Sequence, residues 1–209
     1  MSRLLREQLA NLEHQRADLL ADLAHLSREQ LEYRPDPGTW SIADVIDHLA
    51  ATEELAVEMG ERIRKGGAGE IATIEAAAGW RRPRGVRGRF RWLLRRAAVY
   101  GVISTGIRVR MPRRVKEMLG TPRPASAAEA VARWEAARSR LAAYVTSLAP
   151  QDERRKLLHH PIAGWFDHRQ GLKFVERHVR HHVRQVGRIR AGMEGAAEVA
   201  GGGWGGWDG

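Results

Sequence analysis

The chain has 209 residues, a formal net charge of +10 and no cysteine. Its length suits one domain with a buried core better than two domains. Without cysteine there is no disulfide, thiolate ligand or cysteine nucleophile, so a transition metal would need histidine and carboxylate ligands. The N-terminus lacks the basic start and apolar core of a secretory signal, and no segment approaches about 18 uninterrupted apolar residues. We therefore expect a cytoplasmic protein without a membrane span.

The positive charge is concentrated in one segment. Residues 81–119 contain twelve arginines, one lysine and one acidic residue, so the segment carries +12 and the rest of the chain −2. Such a segment is able to attract an acidic partner such as nucleic acid or membrane phosphate. The remainder of the chain has no basic character, so the net charge does not describe the whole domain.

Two amphipathic helices are predicted in the N-terminal part of the chain. From residue 2 to about residue 27, leucines recur every three or four positions, which is the spacing of a helix with one apolar face. A break rich in proline and glycine follows. Ser41 and Asp44 then form a capping-box signature. The second helix should therefore cover residues 41–64, with a glycine-rich, flexible exit at 65–70.

The C-terminal part predicts two more long helices. The basic segment at 81–119 is expected to be partly helical, although glycines weaken its helical pattern. Ser126 is the predicted N-cap of the third long helix, after which the chain should be irregular or only partly helical. Asp167 and Gln170 form the predicted cap of the fourth long helix, which should end near Ala191.

These elements predict an all-α fold. Four amphipathic helices with breaks between them, and no sustained strand alternation, favour an antiparallel four-helix bundle. The basic, partly helical insertion at 81–119 would lie between the second and third long helices. The bundle should occupy residues 1–193. Residues 194–209, which end in glycine and tryptophan, are predicted to be a disordered tail.

The stretch RHVRHHVRQ, residues 177–185, contains three histidines that are not equivalent. At about 100° per residue, His178 and His182 share the inward face with valines, whereas His181 lies at the border with outward arginines. An i, i+4 histidine pair can hold a metal, but two ligands hold it poorly. His48 faces inward on the second helix and is the candidate third ligand. The alternative is that these are core histidines, each satisfied by one hydrogen bond.

The other histidines are weaker candidates. Some lie in the first helix without a partner at helical spacing, and some lie in or near the irregular segment before the last helix. They are His14, His25, His159, His160 and His168.

Two longer motifs resemble the signatures of the DinB-like superfamily. In residues 34–54, RPDPGTWSIADVIDHLAATEE, a turn with proline and glycine leads to Trp-Ser-Ile and then a His-Leu pair. Residues 160–189 contain His-Pro, a glycine and the pattern H-x-x-H-H-x-x-Q. The resemblance implies a four-helix bundle in which three histidines bind a divalent metal, with zinc or nickel as the expected ion. These ligands map onto His48, His178 and His182.

The resemblance also implies a class of reaction. Characterised relatives carry out transfer or isomerisation with a low-molecular-weight thiol such as bacillithiol or mycothiol. We therefore expect a metal-dependent thiol S-transferase with a small-molecule electrophile as substrate, and a homodimer is also considered. Gln185, Asp44 and His181 are candidates for the surroundings of the metal. Asp47 and Glu54 are further candidates, and the residues alone do not distinguish among these acids.

Two other functions remain open at this point. The protein could be a non-enzymatic, stress-related bundle whose arginine-rich insertion, residues 81–119, binds nucleic acid, membrane phosphate or another acidic partner. It could also be a bundle in which the metal is only structural.

Overall fold

The computed structural model describes residues 1–80, 83–105, 124, 126–160 and 162–201. Within these residues the elements follow one another as α1 (Arg3–Leu23), α2 (Arg28–Glu32), α3 (Ile42–Ala77), α4 (Gly85–Thr105), α5 (Ala127–Thr146), a 3-10 helix (Pro150–Arg154), β1 (Lys156–His160), β2 (Gly164–Asp167) and α6 (His168–Gly201).

Helices α1, α3, α5 and α6 form a four-helix bundle, as the sequence predicts. Helix α3 packs against α5 and α6, and α1 packs against α6. Their apolar stripes meet in one core, which includes Leu5, Leu12, Leu49, Trp134 and Val179, all at most 1% exposed. Among the helices in the described part of the chain, none is long and apolar enough to cross a membrane.

The first helix is shorter than its leucine pattern suggests. It begins after Ser2, whose side chain accepts a hydrogen bond from the Leu5 amide, and it ends at Leu23. The predicted end near residue 27 is wrong because Ser27 caps a separate short helix, α2, through a capping box with Gln30.

Helix α3 starts where the sequence predicts and continues further. Ser41 Oγ accepts from the Asp44 amide at 3.1 Å, and Asp44 Oδ2 accepts from the Ser41 amide at 2.8 Å. The predicted exit at 65–70 contains Gly67, whose φ of 55° interrupts the helical geometry. Glycine tolerates this conformation without steric cost. The chain then resumes a helical path to Ala77, so the exit is a kink within the element.

Most of the described part of the basic insertion forms the helix α4. Helix α4 packs against α6, and Arg96 donates hydrogen bonds to the Trp165 carbonyl and to Gln170 Oε1. Residues 81–82 and 106–119 of the predicted insertion lie outside the described residues. The predicted cap of the next helix is confirmed, because Ser126 Oγ accepts from the Glu129 amide at 3.1 Å.

The segment before the last helix is a β-hairpin, which corrects the prediction of irregular or partly helical structure. Strands β1 and β2 pair antiparallel, with Leu158 opposite Phe166 and His159 opposite Trp165. The three central residues of β1 are all buried. A strand that is covered on both faces lacks the alternation of apolar and polar residues by which a half-buried strand is recognised.

Helix α6 begins as predicted and ends later. Asp167 Oδ1 accepts from the Gln170 amide at 2.8 Å, and Gln170 Oε1 accepts from the Asp167 amide at 3.3 Å. The predicted end near Ala191 is wrong, because the helix continues to Gly201 and includes residues 194–201 of the predicted tail. Glycines cost about 1 kcal/mol each in a helix, but alanine, methionine and glutamate between them favour it. Residues 202–209 lie outside the described residues.

Candidate metal centre

Three histidines from two helices meet inside the bundle. His48 lies on α3, and His178 and His182 lie one turn apart on α6. One ring nitrogen from each lies within 4.8 Å of the other two, and the Nε2 atoms of His48 and His178 are 3.1 Å apart. Around a tetrahedral zinc ion with Zn–N bonds of about 2.0–2.1 Å, ligand nitrogens lie roughly 3.3 Å apart. His48 and His178 are therefore already at about the spacing of two ligands on one ion, and a nitrogen of His182 lies within 4.8 Å of both.

The surroundings keep the three imidazoles neutral. His48 and His182 are only 3% and 6% exposed. Burial lowers the pKa of His48 to about 4, and burial together with the neighbouring imidazoles holds the pKa values of His178 and His182 well below the ordinary value. A neutral imidazole has the lone pair that a metal ion needs. The centre is therefore ready to bind a cation at neutral pH.

Gln185 sets the orientation of one ligand. Its side-chain oxygen Oε1 lies 2.8 Å from His182 Nδ1. Because an amide oxygen only accepts hydrogen bonds, Nδ1 carries the hydrogen and donates it, which leaves Nε2 as the unprotonated nitrogen. Gln185 was a candidate from the sequence, and the structure places it directly against a candidate ligand.

Two aromatic side chains cover the imidazoles. The Trp40 ring lies 4.8 Å from that of His48 and stacks at 6.1 Å on that of His182, while Phe174 stacks on His178 at 5.6 Å. Sequence reasoning did not select Trp40 as a site residue. The available signal was its place directly before the N-cap Ser41, where an apolar residue often packs against the first turns of its helix.

The carboxylates near the site are engaged by arginines. Asp44 accepts a hydrogen bond from Arg34 at 3.0 Å in addition to its role in the helix cap. Arg133 donates to Asp47 at 2.6 Å and to both oxygens of Glu54 at 3.1 and 2.6 Å. Within the part of the chain that the structure describes, the three-histidine group contains no carboxylate. A divalent ion held there by neutral ligands would keep its full positive charge.

His181 lies beside the group without belonging to it. Its ring meets that of His182 edge-on at 5.1 Å, as its border position on the helix predicts. His14, by contrast, is at the surface, where its Nε2 lies 3.3 Å from Asp18 Oδ2.

Two other histidines stabilise the hairpin and its surroundings. His160 Nδ1 accepts hydrogen bonds from backbone amides in the turn, including that of Ala163 at 3.1 Å, and burial lowers the pKa of His160 to about 4. His168 Nδ1 lies 3.0 Å from the Arg155 carbonyl and its Nε2 lies 2.9 Å from the Tyr144 hydroxyl. The Tyr144 hydroxyl therefore donates to Nε2, and Nδ1 donates to the carbonyl. These histidines have structural partners.

A large cavity lies elsewhere in the molecule. It has a volume of about 840 Å³ and is lined by residues of α3, α4 and the hairpin, with Trp80, Trp92 and Trp165 among them. The three candidate metal ligands are not part of its lining. The cavity and the metal centre are therefore separate features of the fold.

Two comparisons with known proteins identify the family and the fold. The family model described as the DinB superfamily matches residues 11–186. Among solved structures, the chain is similar to YfiT from Bacillus subtilis, described as a probable metal-dependent hydrolase with an unusual four-helix bundle topology. The identity is 16% and the TM-score 0.51, over 93% of this chain and 90% of that one. No curated protein matches the sequence. At this identity the structural similarity establishes the fold alone.

Proposed function

The chain belongs to the DinB superfamily, and from this premise we propose that it is a divalent-metal-dependent enzyme that transfers a small thiol to a small electrophile. One observation carries the proposal: His48, His178 and His182 each bring a ring nitrogen within 4.8 Å of the other two. Three neutral ligands leave a position on the ion for a reactant, as in catalytic three-histidine sites.

The residues fit a borderline divalent ion such as zinc or nickel, for which imidazole is a suitable ligand. When bound, such an ion lowers the pKa of a coordinated thiol or water and polarises an electrophile. The sulfur nucleophile would have to come from a cosubstrate, because the chain contains no cysteine.

The surrounding side chains support the site in distinct ways. Gln185 holds the proton on His182 Nδ1 and so directs the opposite nitrogen to the ion. Trp40 and Phe174 cover the rings of His182 and His178, which limits their rotation and excludes water from that side. A ligand set that is held rigidly loses little entropy when it binds the ion or a reactant.

Hydrolysis is the second candidate reaction. The same centre would equally lower the pKa of a water molecule, and the similar structure of YfiT is described as that of a probable metal-dependent hydrolase. The two reactions differ only in the nucleophile, so they are separable by experiment.

The first test measures metal content. Protein purified without a metal-affinity column should contain about one zinc or nickel ion per chain, as three-histidine sites do. His48→Ala and His178→Ala should each lose it. His14→Ala is the matched control, because this surface histidine lies outside the group. Stoichiometric metal in both of the first two variants would contradict the site.

The second test measures turnover by the metal-loaded protein. Bacillithiol, mycothiol and simpler thiols are each offered with a panel of alkyl and aryl halides and epoxides. The proposal expects a thioether product whose formation depends on both the thiol and His178. Release of halide or opening of the epoxide at the same rate without thiol, with an alcohol or diol as the product, would instead establish hydrolysis. A loaded protein that turns over no substrate would indicate that the metal is structural.

A further inference from the structure

Helix α4 has one apolar face against the bundle. Trp92 Nε1 donates a hydrogen bond to the Ala163 carbonyl at 3.0 Å. Val99 is 9% exposed and belongs to the main core. The Tyr100 hydroxyl reaches the Gln170 carbonyl at 3.5 Å. This face attaches α4 to the hairpin and to α6.

The same helix has a second apolar face that is in solvent. Val86, Phe90, Leu93 and Leu94 are exposed by 86%, 60%, 54% and 54%. At 100° per residue they form one stripe, roughly 150° around the helix from Trp92 and Val99. Single exposed apolar residues are ordinary, but four on successive turns make a continuous patch of the kind that marks an interaction surface.

Arginines flank this stripe on both sides. Arg87 and Arg91 project along one edge and Arg89 along the other, and all three are exposed. No aspartate or glutamate occurs from residue 81 to residue 116. The exposed face of α4 is therefore an apolar stripe bordered by arginines, with no acidic residue on the helix itself.

We propose that α4 docks the protein on an anionic membrane surface. The helix lies parallel to the bilayer, with the stripe in the boundary between headgroups and acyl chains and the arginines at lipid phosphates. Burial of apolar side chains and attraction to anionic lipid act together in this arrangement. A single amphipathic helix binds such a surface reversibly.

The chemistry of the stripe distinguishes the membrane from other partners. Nucleic acid would use the arginines but would leave Val86, Phe90 and Leu94 in water, because its backbone presents phosphates. A second copy of the chain would cover the stripe only by bringing the two arginine borders together, and like charges at an interface cost several kcal/mol. An anionic lipid surface satisfies both parts of the face.

Sedimentation with vesicles tests the proposal. The full chain should partition onto vesicles of phosphatidylcholine with phosphatidylglycerol at least about tenfold more strongly than onto phosphatidylcholine alone, and salt should reduce the difference. Phe90→Ser/Leu94→Ser should lower the partition coefficient by roughly tenfold or more, although every charge is kept. Leu4→Ser is the matched control, since Leu4 is an exposed leucine on α1, 43% accessible.

A second readout does not require a disruptive substitution. Phe90→Trp keeps the stripe apolar, and its added fluorescence should shift to the blue with vesicles that contain phosphatidylglycerol, whereas Leu4→Trp should show no added shift. Equal binding by wild type and Phe90→Ser/Leu94→Ser overturns the proposal. So does tighter binding to duplex DNA than to vesicles, or a dimer in solution that this double substitution abolishes.

Discussion

Gln185 Oε1 lies 2.8 Å from His182 Nδ1, so a neutral amide on α6 determines which nitrogen of a candidate metal ligand carries its hydrogen. The amide oxygen accepts the Nδ1 hydrogen and leaves Nε2 with a lone pair. The hydrogen bond from His182 Nδ1 to Gln185 therefore orients the His182 ring so that Nε2 is available to bind a metal ion.

Removing this acceptor should weaken metal binding. In Gln185→Leu, nothing holds the Nδ1 hydrogen of His182, and we expect the affinity for zinc to fall by about 10–100-fold. Gln185→Glu retains an acceptor oxygen and should stay closer to wild type. Chelator competition measures the affinity, with Val183→Ala, at an exposed position of the same helix, as control. An unchanged affinity in Gln185→Leu would show that the contact does not orient the ligand.

The stability of the metal-free protein should fall as the pH decreases from 6.5. Burial lowers the pKa of His48 and of His160 to about 4, and those of His178 and His182 are well below the ordinary value. Below pH 6.5 the histidines of the unfolded chain bind protons, whereas the buried imidazoles of the native protein stay unprotonated. The contribution of these histidines to the free energy of unfolding is therefore complete above pH 6.5. It declines towards pH 4, by up to about 1.4 kcal/mol per pH unit for each histidine.

Denaturant unfolding at several pH values between 7 and 4.5 measures this decline. His48→Gln should reduce the slope of this decline, because it removes one imidazole that stays unprotonated in the native protein, whereas Val183→Ala, which changes no titratable group at an exposed position, should not. If the metal-free protein were equally stable across the range, the buried imidazoles would have to accept protons without cost.

The buried Glu53 should be important for stability. It is fully buried and accepts hydrogen bonds from Trp134 Nε1 and Arg138 Nε, each at 2.9 Å. Glu53→Ala leaves the Arg138 guanidinium, 4% exposed, without its buried partner, and we expect a loss of about 3–5 kcal/mol in the free energy of unfolding. Equilibrium denaturation measures it.

Two further variants identify the cause of that loss. Glu53→Met/Arg138→Met removes both charges and should recover much of the stability. Glu54→Ala, the adjacent acid, loses only a partly exposed ion pair with Arg133 and should cost less than about 1 kcal/mol. Equal losses at positions 53 and 54 would argue against the role of burial.

Two glycines in helices should respond oppositely to alanine. At Gly60 on α3, a Cβ atom would lie 2.7 Å from Tyr144 Cζ and 2.8 Å from Leu157 Cδ1. Tyr144 cannot move freely because its hydroxyl is bound to His168, so Gly60→Ala should cost about 1–3 kcal/mol through overpacking. At Gly187 on α6 no atom lies within 4 Å of the added Cβ. Gly187→Ala should therefore add up to about 1 kcal/mol. Thermal unfolding compares the two, and destabilisation by both would contradict the packing argument.

Local signals predicted helix starts better than helix ends. Ser41, Ser126 and Asp167 each cap a helix as expected, because a cap depends on a few adjacent residues. The end near Ala191 is not correct, because the glycines there do not stop the helix. Near Arg64 the helical geometry is interrupted at Gly67, three residues further on, and a helical path then resumes. The hairpin at 156–167 was missed because its short strands are buried and do not alternate.

The roles of the acidic residues depended on distant partners. Asp47 and Glu54 were open candidates for the site, and both bind Arg133 on α5. Their separation from Arg133 in sequence is about eighty residues, so no local pattern could assign the contact. Trp40 likewise lies at the site only because α6 packs beside it, which places the His182 ring against that of Trp40.

The sequence by itself determined that His178 and His182 share one helix face, because the α-helix fixes the direction of residues four positions apart. The inward face of the second helix made His48 the candidate third ligand, and the resemblance to the family implied the same residue. Only the tertiary structure decided that the nitrogens of all three approach within 4.8 Å. The approach depends on the packing of α3 against α6, and such distances are not encoded in local spacing.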